Sequence, residues 1–129
     1  MGKDVIANWH AFVRSRDPAA LHALLAEDAV FESPVVHTPQ AGRPVVEKYL
    51  LAAMQVLGNE TFRYEGEWFA ESSAVLEFAC EIDGIRINGV DMIAWNEAGR
   101  ITRFKVMVRP LKAINLLHQK MAARLTARA

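Results

Sequence analysis

The sequence has very little cysteine and no excess of charge of either sign. Cys80 is the one cysteine among 129 residues, which excludes an internal disulfide and a cysteine-rich metal site. Fifteen Lys and Arg residues balance fifteen Asp and Glu residues, so charge gives no reason to expect a nucleic acid or an anionic membrane as partner. No apolar run approaches the length of a membrane span, and the first residues lack the apolar core of a signal peptide. We therefore expect a cytoplasmic protein with a single domain, 1–129.

Sequence motifs of several common sites are also missing. The four histidines, at positions 10, 22, 37 and 118, show no metal-ligand spacing. No glycine-rich motif of the nucleotide-binding kind occurs. We therefore expect neither a metal nor a cofactor.

Apolar residues at helical spacing predict four helices. Three of them are predicted over about 4–15, directly after Asp17 and Pro18, and over about 44–57. The fourth is a C-terminal helical extension over 111–127. Its apolar stripe consists of Ile114, Leu117, Met121 and Leu125. We expect this stripe to pack across the protein or onto a partner subunit.

From residue 60 onward the apolar period changes from 3.6 to 2, which predicts strands. They are expected over about 61–71, 75–83, 90–95 and 101–108, after an earlier short strand over 29–33. In the strand 90–95, Asp91 shares one face with Ile93 and Trp95. A carboxylate on an apolar face is typical of a functional site, although a solvated face is the alternative. The order of elements predicts an α+β fold with helices on one face of a curved sheet.

Three motifs, AEDAVFESP, PQAGRPVVEKYL and GVDMIAWNEAGRI, follow the helices in an order that carries a resemblance. The chain resembles the nuclear transport factor 2-like (NTF2-like) superfamily, and within it the SnoaL-like and ketosteroid-isomerase-like small proteins, over roughly residues 5–110. The resemblance implies a conical (cystatin-like) α+β fold, with helices packed on a strongly curved mixed or antiparallel sheet that encloses a pocket. It also implies a homodimer formed through the sheet.

The resemblance further implies roles for individual residues. The general-base Asp of the steroid isomerases corresponds to Ser33, which has no useful basicity near neutral pH, so a typical ketosteroid isomerase is not expected. Their oxyanion-hole Tyr corresponds to Trp9, which still donates through its indole N–H, and their second donor corresponds to Asp91. His37 is the candidate replacement base, because imidazole exchanges protons near neutral pH, whereas an exposed loop histidine is the alternative.

The remaining candidate residues belong to the expected pocket wall. The predicted ligand-binding positions are Ser33, Tyr49, Phe78, Ile93, Trp95, Phe104 and Val106. With little water in such a pocket, burial should raise the pKa of Asp91, which then donates a hydrogen bond to a ligand oxygen with Trp9 as second donor.

Two functions follow from these expectations. The first is binding of a small hydrophobic carbonyl or phenolic ligand, with cofactor-independent isomerase, cyclase or lyase activity by proton transfer. The second is a non-catalytic binding or assembly protein that uses the same cavity, which Ser33 in the base position favours.

Charged residues in the strands also predict the homodimer. Acidic residues alternate along 77–81 and basic residues along 103–109, on strands expected to be neighbours. These charges can pair within the sheet or across a twofold interface, with Trp68 or Phe69 at its centre.

Overall fold

The computed structural model describes residues 2–126, with side chains from residue 4. Within that range the helices are α1 (Gly2–Ser15), α2 (Pro18–Leu24), α3 (Arg43–Leu57) and α4 (Leu111–Thr126). The strands are β1 (Leu25–Glu32), β2 (Gln40–Ala41), β3 (Arg63–Phe69), β4 (Ser73–Ile82), β5 (Ile85–Trp95) and β6 (Ile101–Arg109). The predicted α+β class is confirmed.

The six strands form one mixed sheet in the order β2-β1-β6-β5-β4-β3. β1 runs parallel to β6, and every other neighbouring pair is antiparallel. The β4–β5 hairpin turns through Asp83 and Gly84, which both have positive φ, as a tight two-residue hairpin requires. In the longer β5–β6 loop Gly99 has φ +76, which is the predicted left-handed position.

The helix boundaries follow from capping residues. Asp17 caps α2, where its carboxylate accepts a hydrogen bond from the Ala19 amide at 3.0 Å, and Pro18 opens the helix as predicted. Gly42, with φ +104, precedes α3, and Pro44 lies in its first turn. α4 covers the predicted C-terminal helix, except that residue 127 lies outside the described residues.

Two strands begin four or more residues earlier than the sequence predicts. β1 begins at Leu25, which is buried and pairs with Ile101 of β6 as soon as α2 has ended. β5 begins at Ile85 and includes Gly89, which resembles a strand breaker in the sequence. A Cβ atom on Gly89 would come within 2.5 Å of the Phe78 ring on β4, so glycine at this position lets the aromatic side chain pack against the strand.

The predicted pairing of charges between adjacent strands is wrong. β5 lies between β4 and β6, so the acidic and basic strands are not neighbours. Glu77 of β4 faces Val90 of β5, and Val90 in turn faces Met107 of β6. The sequence pattern could not reveal this, because alternation defines the faces of a strand but not the neighbours of that strand.

The hydrophobic core fills the space between the helices and one face of the sheet. Its largest fully buried side chains include Trp9, Phe12, Phe78 and Phe104. Among the described residues, no helix is long and apolar enough to cross a lipid bilayer.

Candidate functional site

A cavity of about 220 Å³ remains between the helices and the sheet. It is lined by residues from α1, the segment 31–36, α3, residue 62, β4, β5, β6 and α4. Nearly all of these side chains are apolar; the polar ones are Ser33, Tyr49, Asp91 and His118, besides the indole of Trp9. The exposed residues in the wall, Val36, His118 and Ala122, place the mouth between the loop after β1 and helix α4.

Asp91 lies in the wall of this cavity and is buried, with 5 % of its surface exposed. Among the described residues it is the one buried residue with a polar or charged side chain. β5 places it there because Gly89, Asp91 and Ile93 alternate toward the helices. Its neighbours across the strands are Leu76 and Val106, which bring no charge to the carboxyl group.

A chain of hydrogen bonds holds the Asp91 carboxyl group. The Tyr64 hydroxyl donates to Asp91 Oδ2 at 2.7 Å, and the Trp9 indole N–H donates to the Tyr64 hydroxyl at 2.9 Å. Both distances are normal for hydrogen bonds. The chain therefore fixes the carboxyl group from the side of α1 and β3.

Burial is the main cause of the pKa shifts of Asp91 and Tyr64 in this hydrogen-bond chain. It raises the pKa of Asp91 to about 7, and the hydrogen bond from Tyr64 opposes part of that rise. Burial and the nearby Asp91 carboxylate hold the pKa of Tyr64 well above its ordinary value, so Tyr64 stays protonated as a donor. The expected upward shift of the Asp91 pKa is confirmed, and both protonation states of the carboxyl group are present near neutral pH.

Trp9 does not have the expected role of second donor to a ligand. Its side chain lines the cavity, but its N–H is already bonded to Tyr64. An indole has a single N–H and no acceptor, so nothing remains for a ligand oxygen. Trp9 instead orients Tyr64, which in turn binds Asp91.

Ser33 lies in the cavity wall at the end of β1, as expected from the sequence. Its hydroxyl oxygen accepts hydrogen bonds from the amides of Val35 and Val36, at 3.0 and 3.3 Å. These bonds shape the loop at the cavity mouth, and the hydroxyl proton of Ser33 is left to donate. Ser33 is thus a donor at the position that corresponds to the general base of the steroid isomerases.

The structure does not bring His37 to the cavity. It is exposed in the loop between β1 and β2 and is absent from the cavity wall, which matches the alternative interpretation of this histidine. The histidine in the cavity wall is His118 of α4.

The predicted ligand-binding residues separate into two groups. Four residues besides Ser33 line the cavity: Tyr49, Phe78, Phe104 and Val106. Ile93 and Trp95 are buried but do not line it. They lie further along β5, opposite Phe104 and Ile101 of β6, where the core is filled.

Sequence reasoning missed Tyr64, which holds the central hydroxyl of the hydrogen-bond chain. A bulge between Tyr64 and Gly66 shifts the register of β3 against β4. Because of this bulge Tyr64 points toward the helices, whereas Trp68 points to the opposite face. Gly66 in the strand was the available signal, since glycine inside a strand often marks a bulge.

Residues 6–104 match the model of the SnoaL-like domain. The chain belongs to the SnoaL-like family. Its NTF2-like, cystatin-like fold, which was expected from the resemblance, is thereby confirmed. No curated protein matches the chain significantly.

Two solved structures are similar to this SnoaL-like protein over most of its length. A steroid delta-isomerase from Pseudomonas aeruginosa is 38 % identical, with a TM-score of 0.90 over 96 % of this chain and 90 % of that chain. An uncharacterized bacterial protein with a cystatin-like fold from Silicibacter pomeroyi is 37 % identical, with a TM-score of 0.86 over 93 % and 84 %. The epoxide hydrolase/cyclase-like enzyme SalBIII shares the fold at 19 % identity, with a TM-score of 0.66 over 83 % and 89 %.

The described residues contain no group of three or more His, Cys, Asp and Glu side chains arranged to hold a metal ion. The polar groups in the cavity wall are the Asp91 carboxyl group, which Tyr64 holds from outside the wall, the hydroxyls of Ser33 and Tyr49, and the imidazole of His118.

Proposed function

We propose that this SnoaL-like protein binds a small hydrophobic phenol or enolisable carbonyl compound, with the oxygen of the ligand against Asp91. The observation that carries the proposal is a buried carboxyl group in the wall of an apolar cavity, with a pKa of about 7. Tyr64 occupies Oδ2, which leaves Oδ1 for the ligand. The neutral carboxyl group donates a hydrogen bond, and a water-poor site makes this bond favour an oxygen that develops negative charge.

We infer further that Asp91 transfers a proton in this cavity. A general acid or base works best when its pKa lies near the working pH, and Asp91 meets that condition. This role belongs to the ionised form of Asp91, whereas the hydrogen bond to the ligand oxygen belongs to the neutral form. The ionised carboxylate removes a proton from the carbon beside the carbonyl group, and the resulting acid returns it to a carbon of the enolate. This isomerisation needs no co-reactant. Support comes from the family and from the relative named as a steroid delta-isomerase.

Calorimetry with 2-naphthol tests the binding step. Asp91→Ala should weaken binding by about 1–3 kcal/mol, because a buried hydrogen bond is lost. Asp91→Asn should weaken it less, because the amide still donates. Glu97→Ala, which removes an exposed carboxylate in the β5–β6 loop, is the matched control and should bind like wild type. Equal affinity in wild type and Asp91→Ala contradicts the proposal.

Hydrogen–deuterium exchange separates the catalytic from the non-catalytic function. In D₂O the wild-type protein should accelerate exchange at the carbon beside the carbonyl group of 2-tetralone, as followed by NMR. Asp91→Asn should abolish this acceleration while 2-naphthol still binds, because an amide cannot take the proton. The non-catalytic alternative, favoured by Ser33 in the base position, predicts naphthol binding with no acceleration in wild type.

We also propose a homodimer through the outer face of the sheet. An apolar row crosses three strands there, because Trp68 faces Val75 and Val75 faces Met92. Trp68 is 58 % exposed and Met107, one row further, is 50 % exposed. Such a row is typical of an interface.

Charge on this face suits a second copy of the chain. β4 presents Glu77 and Glu81 on one side of β5, and β6 presents Arg103 and Lys105 on the other. A twofold axis through β5 places the acidic side of one copy against the basic side of its partner. This is charge pairing between subunits.

Light scattering tests the dimer. At micromolar concentration the wild-type mass should be twice 14.4 kDa, and Trp68→Glu should reduce it to that of one chain. Phe69→Glu is the matched control, because Phe69 is also exposed but faces away from the apolar row, opposite Ala74. A monomeric wild type refutes the proposal.

A further inference from the structure

The apolar face of α4 forms a wall of the cavity. Leu117, Met121 and Leu125 follow one another at intervals of four residues and all line the empty space. Leu117 is 3 % exposed, whereas Met121 and Leu125 are half-buried. The helix packs against α3, β5 and β6. Its stripe thus meets the core at Leu117 and the open cavity beyond it.

The volume that α4 leaves is small for a ligand site. A dry protein cavity of about 150 Å³ holds one benzene molecule. The cavity beside Asp91 has about 220 Å³, which is enough for one substituted ring or a compact pair of fused rings. Sites for larger, drug-sized molecules have roughly 300–1,000 Å³. The cavity is thus below the usual size of a site for drug-sized molecules.

We propose that α4 restricts the ligand to one or two fused rings and that Met121 is the residue that sets this limit. The inference rests on the proposed function, because it takes Asp91 as the anchor of the ligand oxygen. Met121 has the decisive position because Leu117 is needed by the core and Leu125 lies in the last helical turn. An unbranched thioether fills such a gap flexibly, and its removal enlarges the cavity without exposing a packed core.

Two phenols of different size test the inference. Estradiol and 2-naphthol both carry an aromatic hydroxyl group, but they have four and two fused rings. Wild type should bind estradiol at least about tenfold more weakly than 2-naphthol. In Met121→Ala the affinity for estradiol relative to 2-naphthol should rise about tenfold, which is the usual effect of a few methylene-sized groups in a pocket. Naphthol affinity should change by less than about threefold in the same variant, because the smaller ligand does not need the volume that Met121 fills.

Two control variants isolate the effect of volume. Met121→Leu keeps the side-chain volume, so it should retain the preference for 2-naphthol over estradiol. Gln119→Ala shortens an exposed side chain of the same helix outside the cavity wall and should also behave like wild type. Leu125→Ala enlarges the cavity from the final turn of α4 and should also raise the affinity for estradiol relative to 2-naphthol. This variant tests the size limit if Met121→Ala does not fold.

The outcomes distinguish this inference from the proposed function. Wild type that binds estradiol as tightly as 2-naphthol, with Asp91→Ala weakening both, overturns the size limit and leaves the function of Asp91 intact. An unchanged preference in both Met121→Ala and Leu125→Ala overturns the role of α4. If neither wild type nor any variant binds 2-naphthol, the proposed function is refuted, and the size limit with it.

Discussion

Replacement of Asp91 by Asn is expected to change how the free energy of unfolding depends on pH. Burial raises the pKa of this carboxyl group from 3.8 to about 7. The unfolded chain releases the proton at about pH 4, whereas the native protein retains it up to about pH 7. Between these values the native protein binds more protons than the unfolded chain. The stability of wild type therefore falls as pH rises through this window, and above the window Asp91 adds no further pH dependence.

The size of this effect follows from the two pKa values. The interval from 3.8 to about 7 corresponds to about 4 kcal/mol, at about 1.4 kcal/mol for each pH unit. Asn cannot ionise, so the variant lacks this loss of stability. The difference in unfolding free energy between Asp91→Asn and wild type should shift by up to about 4 kcal/mol in favour of the variant between pH 4 and pH 8. Groups that titrate alike in both proteins cancel in this difference.

Urea denaturation at a series of pH values, followed by tryptophan fluorescence, measures the effect. Glu97→Gln neutralises an exposed carboxylate and should show no comparable shift relative to wild type. A change of less than about 1 kcal/mol across the window for Asp91→Asn would mean that Asp91 titrates normally. Asp91 would then be ionised near neutral pH and could not act as a neutral donor in the cavity.

Two further substitutions test the hydrogen-bond chain and the C-terminal helix. Tyr64→Phe should raise the pKa of Asp91 further, because the hydrogen bond that lowers it is lost, and carbon NMR of the carboxyl group measures this pKa. The variant should also lose about 1–3 kcal/mol of unfolding free energy, because the buried Trp9 N–H loses its acceptor. An unchanged Asp91 pKa contradicts this prediction. Leu117→Ala should cost about 2–5 kcal/mol in urea denaturation, whereas the exposed Gln119→Ala should change stability by less than about 0.5 kcal/mol; equal stabilities of the two variants would show that α4 does not contribute to the core.

The elements of the fold were predictable because each has a local signal. Asp17 and Pro18 mark the start of α2, and alternation along β4 and β6 separates the buried from the exposed faces. The position of Asp91 was predictable for the same reason, since it shares its strand face with Ile93, which is buried. Each of these signals depends only on residues that are close together in the sequence.

Features that depend on distant parts of the chain were not predictable. Strand order decides that β5 separates the acidic from the basic strand, and no local pattern encodes it. A bulge turns Tyr64 inward, 27 residues before the Asp91 that it contacts. His37 failed as a candidate for a related reason, because loop residues beside a site face solvent unless the backbone turns them inward.

The identity of residue 9 determines the direction of the hydrogen-bond chain. An indole N–H can only donate, so the Tyr64 oxygen must accept from Trp9. The single hydroxyl proton of Tyr64 is then committed to Asp91 Oδ2. When Asp91 is neutral, its own proton consequently lies on Oδ1, the oxygen left for a ligand. Trp9 and Ser33 are the two departures from the steroid-isomerase pattern, and their effects combine. Trp9 directs the Asp91 proton toward the cavity. Ser33 leaves no second base at the position where the steroid isomerases have one, so no other group there competes for that proton.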